Sequence, residues 1–151
     1  MSRIFDLEKT QAIPRIVEID PIGLVTGEAS LFEVIGKIII NQLIGEITIA
    51  IAEESAAIKL IASPAVGNDI DLCASSDMQG FPVGSILNIS GVVQDELTMS
   101  ADAGNIAATS AIIVNSCILK MDSRATIAGA VKWTLHYTPV DLESIVIPYV
   151  A

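Results

Sequence analysis

The sequence predicts an all-β fold, an antiparallel β-sandwich or jelly-roll-like domain with an extended N-terminal arm. Three observations support this prediction. Isoleucine is the commonest residue, and β-branched side chains suit a pleated sheet better than a helix. No apolar stripe repeats with the 3.6-residue period of a helix. The 10 glycines and 6 prolines interrupt the chain too often for long helices.

Residues 1–30 are expected to form the arm, and residues 31–151 the sandwich domain. Pro14 and Pro21 favour an extended chain, because proline lacks a backbone N–H and restricts the residue before it. An exposed apolar arm needs a surface to cover it. The predicted interface residues of the arm are Ile4, Phe5 and Leu7.

Nine segments after the arm have the composition of β-strands, rich in Ile, Val, Leu or Thr and bounded by turn-forming residues. They are residues 31–40, 43–52, 57–62, 69–72, 85–93, 111–114, 118–121, 130–137 and 144–150. We expect the first three to form a meander, with Asn41-Gln42 as a tight turn or as a bulge in one long bent strand. Ile70 and Leu72 are expected to point inward, and residues 95–104 to form a polar turn region.

The segment 130–137 has the clearest strand pattern. Its apolar side chains, Trp133 and Tyr137 among them, alternate with polar ones, which is typical of a sheet with one wet face. We therefore expect Trp133 and Tyr137 to lie in the core. Pro148 makes segment 144–150 a predicted edge strand, because proline cannot donate to a ladder.

Length and charge bound the possible functions. The chain has 151 residues and a net charge of −10. Because contacts to phosphate need clustered Lys and Arg, no nucleic-acid partner is expected. Charged residues break the apolar runs before the ~20 residues that a spanning helix needs, so no membrane partner is expected. The N-terminus lacks the apolar stretch of a secretory signal, which favours assembly in the cytosol.

The acidic residues in the middle of the chain are not balanced by basic ones. Between Lys59 and Lys120 there is no Lys or Arg, so this region should present a negative surface. Its acidic residues are Asp69, Asp71, Asp77, Asp95, Glu96 and Asp102.

Residues with catalytic or metal-binding chemistry are few. His136, the single histidine, lies on the predicted polar face of its strand, and neither a nucleophile motif nor zinc-ligand spacing accompanies it. Cys73 and Cys117 lie far apart in apolar segments, so we expect buried thiols. We therefore expect no enzymatic activity, no cofactor and no metal site.

The apolar content is the best physical indication of function. Apolar residues make up 52% of the chain, and a domain of this size buries only about two-thirds of its unfolded surface. The surplus should lie at subunit interfaces, which resemble a core cut in half. We therefore expect a homo-oligomer.

Two stretches resemble a known class of proteins. One is residues 65–74, AVGNDIDLCA, followed by Asp77 and the turn into LNISG at residues 87–91; the other is residues 129–141, GAVKWTLHYTPVD. Together with the strand at 44–48, this order is similar to small virion structural proteins of tailed bacteriophages, the kind encoded among head genes.

This resemblance implies a capsid decoration or cement protein, plausibly a homotrimer, that stabilises the head by binding across capsomers. Its partners would be further copies of itself and the major capsid protein. Its location would be the capsid exterior of the virion, after assembly in the host cytoplasm.

Three alternatives stay open. The first is another virion component, such as a head fibre base or a tail protein. The second is a β-sandwich module that binds carbohydrate or calcium through the loop from Asp69 to Asp77, which lacks the glycine and terminal glutamate of an EF-hand. The third is an enzyme with two facing carboxylates.

Overall fold

The computed structural model describes residues 13–150 and has the expected all-β architecture. Two antiparallel sheets, A and B, pack against each other as a β-sandwich. Within residues 13–150 there is no α-helix, and hence none long and apolar enough to cross a membrane. Ile4, Phe5 and Leu7 of the predicted arm lie outside the described residues.

The described part of the chain contains thirteen strands. Sheet A contains β1 (Arg15–Glu18), β2 (Ile22–Leu24), β4 (Ile38–Ile49), β8 (Ile86–Asn88), β9 (Thr98–Ser100), β10 (Ile112–Val114) and β12 (Ile127–Pro139). Sheet B contains β3 (Gly27–Ile35), β5 (Ala57–Pro64), β6 (Ile70–Asp71), β7 (Ser76–Asp77), β11 (Cys117–Ser123) and β13 (Ile145–Pro148).

Two long strands form the middle of sheet A. β12 pairs with β4 from Ala130 to Pro139, and shorter strands lie end to end along their outer edges. β1 and β2 both pair with β12, whereas β8 and β10 both pair with β4 and β9 continues the sheet beyond β8. Sheet B has the order β13-β3-β11-β5, with β6 and β7 both paired to β5.

The predicted meander of the first three segments is wrong. β3, β4 and β5 alternate between the sheets, because the chain turns at Gly36 and crosses to the opposite sheet rather than pairing back on itself. Gly36 has a φ of 86°, a conformation that glycine adopts at little cost. Of the two interpretations of Asn41-Gln42, the bulge is confirmed: Tyr137 pairs with Ile40 and His136 with Gln42, which leaves Asn41 as the extra residue.

The boundary predicted at residue 30 also differs from the structure. Residues 15–18 and 22–24 pair with β12, and β3 begins at Gly27, so the sandwich includes chain that the prediction placed in the arm. Pro14 and Pro21 stand immediately before β1 and β2. At these positions proline removes no ladder hydrogen bond, so both strands form.

Two smaller expectations are wrong. Ile70 is 47% exposed, whereas Leu72 is buried as expected. The difference arises because β6 is a two-residue strand at the sheet edge, with no further strand to cover Ile70. The polar region 95–104 contains β9, whose Met99 packs against the core.

Trp133 and Tyr137 lie in the core, as the alternation of β12 predicts. Both are almost fully buried between the sheets. The Tyr137 hydroxyl accepts a hydrogen bond of 3.2 Å from the backbone N–H of Val146 in β13, so it joins sheet A to sheet B. β13 is an edge strand that ends at Pro148, which confirms that prediction.

Gly45 has no side chain, and this leaves room in the core for the indole of Trp133. The two residues are direct partners across β4 and β12. A Cβ atom on Gly45 would lie 2.8 Å from the Trp133 ring and 2.9 Å from the Val131 side chain. Both of those side chains are fully buried, so neither can move aside without disturbing the core.

We expect Gly45→Ala to destabilise the fold by about 1–3 kcal/mol, the usual cost of overpacking a core. Unfolding in urea can be followed by the fluorescence of Trp133, the single tryptophan. Gly104→Ala is the matched control, because a Cβ at Gly104 meets nothing within 4 Å. Equal unfolding midpoints for the two variants would contradict this account.

Candidate functional site

The aspartates of the proposed calcium loop have separate structural partners. The Asp71 carboxylate lies 3.2 Å from the Nζ atom of Lys59. Asp77 Oδ1 accepts hydrogen bonds from the backbone N–H groups of Ala56 at 2.8 Å and Gln79 at 3.0 Å, which fixes the turn after β7. Across residues 13–150, no three His, Cys, Asp or Glu side chains are placed to hold a metal ion.

His136 lies half-buried on the outer face of sheet A. Its cross-strand partners are Ile16 in β1 and Gln42 in β4. An isoleucine and an amide provide neither the acidic partner nor the nucleophile that a catalytic histidine uses.

Both thiols are buried and free, as the sequence predicts. Burial raises the pKa of Cys73 to about 11, while a backbone hydrogen bond from Leu60 partly opposes the shift. Burial also raises the pKa of Cys117 to about 11. Both therefore stay protonated near neutral pH and are poor nucleophiles there.

The acidic residues of the middle region lie along one side of the sandwich. There β6 and β7 of sheet B meet the chain leading into β9 of sheet A, through hydrogen bonds of 2.8 Å from Ala74 N to Asp95 O and from Leu97 N to Ser76 Oγ. All six acidic residues of that region are exposed. The predicted negative surface therefore lies along this side of the molecule.

Part of the outer face of sheet B is charged, and two of its lysines form ion pairs. Lys59 lies 3.2 Å from Asp71, and Lys120 donates to Glu28 at 3.2 Å. Glu33 is a further carboxylate on this face, opposite Ile118 of β11. The charged part of this face is well solvated, whereas its edge at β3 and β13 exposes Ile35, Ile145 and Ile147.

Part of the outer face of sheet A is apolar, and this part is our candidate functional site. Ile16, Ile106 and Ile113 are 67%, 68% and 65% exposed, respectively, and Ile39 and Ile44 are half-buried beside them. We call these five isoleucines the apolar face. Glu18 lies two residues from Ile16 on the same face of β1 and pairs with Lys132 at 3.4 Å, at one margin of the apolar face.

Hydrogen bonds from side-chain amides hold the loop that carries Ile106 against sheet A. Gln42 Oε1 accepts from the Nδ2 of Asn88 and, at 2.9 Å, from the backbone N–H of Ala108. Asn105 Nδ2 donates to the carbonyl oxygens of Ile86 at 2.8 Å and Thr98 at 2.9 Å. These amides fill the gap along β4 between β8 and β10, and they keep Ile106 in place at the surface.

A hollow of about 320 Å³ opens on the apolar face. The hollow is mainly apolar and lies between β4, β8 and the loop that carries Ile106. Its lining residues are Gln42, Ile44, Ile86, Asn88, Asn105, Ile106 and Ala107. A large apolar side chain from another molecule can enter it from the outer side of the sheet.

The chain matches no protein-family model, no curated protein and no solved structure.

Sequence reasoning did not find the apolar face. Ile16 lay in the predicted arm, and Ile113 lay in a short segment whose alternation is too brief to assign inward and outward positions. The sequence does contain one indication of this site, because four amide residues interrupt apolar segments: Asn41, Gln42, Asn88 and Asn105. Which of these amides form hydrogen bonds with one another depends on the strand pairing, which the sequence does not show.

Because the thiol pKa values are raised from 9.0 to about 11, the folded state favours the protonated form. The contribution of the two protonated thiols to the free energy of unfolding is fully present below pH 9 and is lost as pH rises toward 11. We expect the unfolding midpoint to fall across this window, and iodoacetamide to label both thiols at pH 8 only in denaturant. The double variant Cys73→Ala, Cys117→Ala should have a smaller pH dependence. If iodoacetamide labelled the folded protein at pH 8 as fast as the unfolded chain, the burial of the two thiols would be refuted.

Proposed function

We propose that this chain is a structural subunit of a tailed-bacteriophage head. It acts as a decoration or cement protein, a homo-oligomer and most simply a trimer, that binds across capsomers on the capsid exterior. The single observation that best supports this proposal is the apolar face on an otherwise acidic protein. The resemblance of residues 65–74 and 129–141 to virion structural proteins supplies the biological setting.

The apolar face has the character of an association surface. Three isoleucines that are each about two-thirds exposed lie on it, and isolated exposed isoleucines do not usually cluster in this way on monomeric proteins. The centre of a protein interface is apolar and depleted of charge, whereas its rim is polar. The five isoleucines with Lys132 and Glu18 beyond them reproduce that arrangement.

The other surfaces suit the exterior of a particle. The acidic side lies across the sandwich from the edge formed by β1 and β13, so copies that meet near β1 can keep their negative charges apart. Exposed carboxylates of one sign also disfavour binding to nucleic acid. Association through sheet A therefore need not bring the acidic sides together.

A cement protein also has to transmit force between its neighbours, and this fold is suited to that task. The hydrogen bond from Val146 to Tyr137 joins the two sheets, and the Trp133 ring fills the space between them. β1 and β13 are strands at the edges of their sheets. Such strands offer unpaired backbone groups to a partner, here the major capsid protein.

We expect Ile113→Asp to dissociate the oligomer, because a buried carboxylate without a partner strongly opposes association. Light scattering coupled to size-exclusion chromatography measures the mass directly. Val66→Asp is the matched control, because Val66 is 91% exposed in the loop after β5, away from the apolar face. A monomeric wild-type chain, or an oligomer unaffected by Ile113→Asp, would contradict the proposed interface.

We expect the wild-type oligomer to bind empty capsids of the matching phage that lack this chain, and to raise their temperature of disruption. Sedimentation followed by quantitative mass spectrometry measures the copies bound. A decoration protein should reach hundreds of copies per capsid. Lack of binding by the intact oligomer, or only a few copies per virion as for a fibre base or tail protein, would refute the decoration role.

A further inference from the structure

The apolar face is bordered by one strand on each side, β1 and β10. Across this face the strand order of sheet A is β1-β12-β4-β10, and each strand is antiparallel to its neighbours. Among residues 13–150, no strand pairs with the other side of β1 or of β10. Each of the two carries an exposed isoleucine on the apolar face, Ile16 in β1 and Ile113 in β10.

The free side of β1 offers backbone hydrogen-bonding groups of both kinds. The N–H of Ile19 donates to the carbonyl oxygen of Trp133 in β12 at 3.2 Å. Alternate residues of a strand face opposite neighbours, so Val17 also faces β12, whereas the N–H and C=O groups of Ile16 and Glu18 point away from it. These groups can form a ladder with one more strand.

The free side of β10 offers matching groups. The N–H of Val140 donates to the carbonyl oxygen of Lys37 at 3.0 Å, in the register that pairs β12 with β4. By alternation, Ile39 also faces β12 and turns its backbone groups away from β10. Ile113 is the partner of Ile39, and its own N–H and C=O groups therefore point away from β4.

The edge strand of sheet B, β13, differs from β1. The N–H of Tyr149 donates to the carbonyl oxygen of Leu31 at 3.0 Å, so by alternation Val146 and Pro148 face the free side of β13. The N–H of Val146 already donates to the Tyr137 hydroxyl, and proline has no N–H. The free side of β13 therefore offers acceptors only, whereas β1 offers donors and acceptors.

We propose that β1 of one copy pairs antiparallel with β10 of a second copy, so that copies join head to tail through sheet A. This inference rests on the proposed oligomer and names the contact that builds it. The face has four strands in antiparallel order, so β10 of a neighbour in the same orientation runs antiparallel to β1. The acceptors of β13 remain for the major capsid protein.

The side chains favour one register for this contact. With Ile16 opposite Ile113 of the second copy, two apolar side chains meet on the outer face. Glu18 then lies opposite Ala111, the residue before β10. A shift of two residues would instead place Glu18 against Ile113 and Ile16 against Asn115. In the favoured register each of the two outward-facing pairs, 16 with 113 and 18 with 111, exchanges two backbone hydrogen bonds.

A groove along β10 leaves room for the incoming strand. The groove has a volume of about 200 Å³, and its lining includes Asn68, Ile70 and Val114. In the favoured register Arg15 lies opposite Val114, which brings its positive charge to the acidic side, where Asp69 is exposed between Asn68 and Ile70. Each acidic side therefore meets β1 of a neighbour and not a second acidic side.

A head-to-tail contact either closes into a ring or continues as a filament. A ring with the apolar faces toward its axis removes their isoleucines from water, whereas a flat filament leaves them exposed. Burial of apolar surface therefore favours the ring, and the proposed trimer is such a ring.

Disulfide trapping tests the contact in the Cys73→Ala, Cys117→Ala background. An Ile16→Cys chain is co-expressed with a size-tagged Ile113→Cys chain, and the purified oligomer is oxidised with copper phenanthroline. Opposite residues that exchange hydrogen bonds have Cα atoms about 5.5 Å apart, within the range that a disulfide spans. We expect a covalent product with the summed mass of the tagged and untagged chains.

The control replaces Ile113→Cys with Val25→Cys. Val25 and Ile113 are both 65% exposed, so random collision would link the two positions to residue 16 at similar rates. The proposal is overturned if the two rates are equal. It is also overturned if Ile16→Cys chains link mainly to one another, because that result indicates pairing between two β1 strands.

Proline tests the backbone hydrogen bonds themselves. Ile113→Pro and Ile113→Ala both remove the isoleucine side chain, but only proline removes the N–H that points to the second copy. We expect Ile113→Pro to weaken association at least tenfold beyond Ile113→Ala, because a carbonyl group in the interface loses its donor. Analytical ultracentrifugation measures the association constants, and unfolding followed by Trp133 fluorescence checks that both variants fold.

The outcomes separate this inference from the proposed function. If Ile113→Asp dissociates the oligomer but the proline and alanine variants associate equally, the strand pairing fails and the proposed oligomer stands. If the trapped oligomer does not bind capsids, the decoration role fails and the pairing stands. If Ile113→Pro leaves the oligomer intact while Ile16→Pro abolishes capsid binding, β1 pairs with the capsid protein and the inference is overturned. A monomeric wild-type chain overturns both.

Discussion

The rest of the structure depends on the pairing of β12 with β4, with the Trp133 indole packed over Gly45. The absence of a side chain at Gly45 lets the ring approach the neighbouring strand, where a Cβ would lie 2.8 Å from it. Every other strand of sheet A attaches to this central pair directly or, for β9, through β8. Sheet B then packs on the inner face that Trp133 and Tyr137 provide, and Tyr137 adds a hydrogen bond to β13. This arrangement sets which side chains of β12 and β4 point outward.

The outward positions divide the surface into regions of different chemistry. The outer face of sheet B carries lysines paired with carboxylates, and one side of the sandwich carries the exposed acids of the middle region. The apolar face of sheet A is uncharged and is bordered by β1. The apolar face and the acidic side are therefore separate surfaces of the same molecule. The apolar face suits association between copies and the acidic side suits contact with solvent, and this difference supports the proposed assembly role.

Much of the fold could be predicted from the sequence, because alternation of apolar and polar residues reports directly on the faces of a strand. The core positions of β12, the edge position of β13 and the burial of both thiols follow from this kind of local information. The apolar face could not be predicted. It combines Ile16 from β1, Ile44 from β4, Ile113 from β10 and Ile106 from a loop, and only strand pairing brings these residues together. The meander failed for a related reason, because local composition does not tell which sheet a strand joins.

The sequence by itself determined that this protein is built from strands, that isoleucine is its commonest residue, and that no basic residue balances the acids between Lys59 and Lys120. These properties depend on residue type and spacing alone. The tertiary structure decided that residues 15–30 belong to the sandwich, that the acids of the middle region lie along one side, and that five isoleucines from four segments lie on the same face of sheet A. Pairing between distant segments, such as β1 with β12, is a long-range choice. Many pairings satisfy the same local pattern, and the packing of the whole core selects one of them.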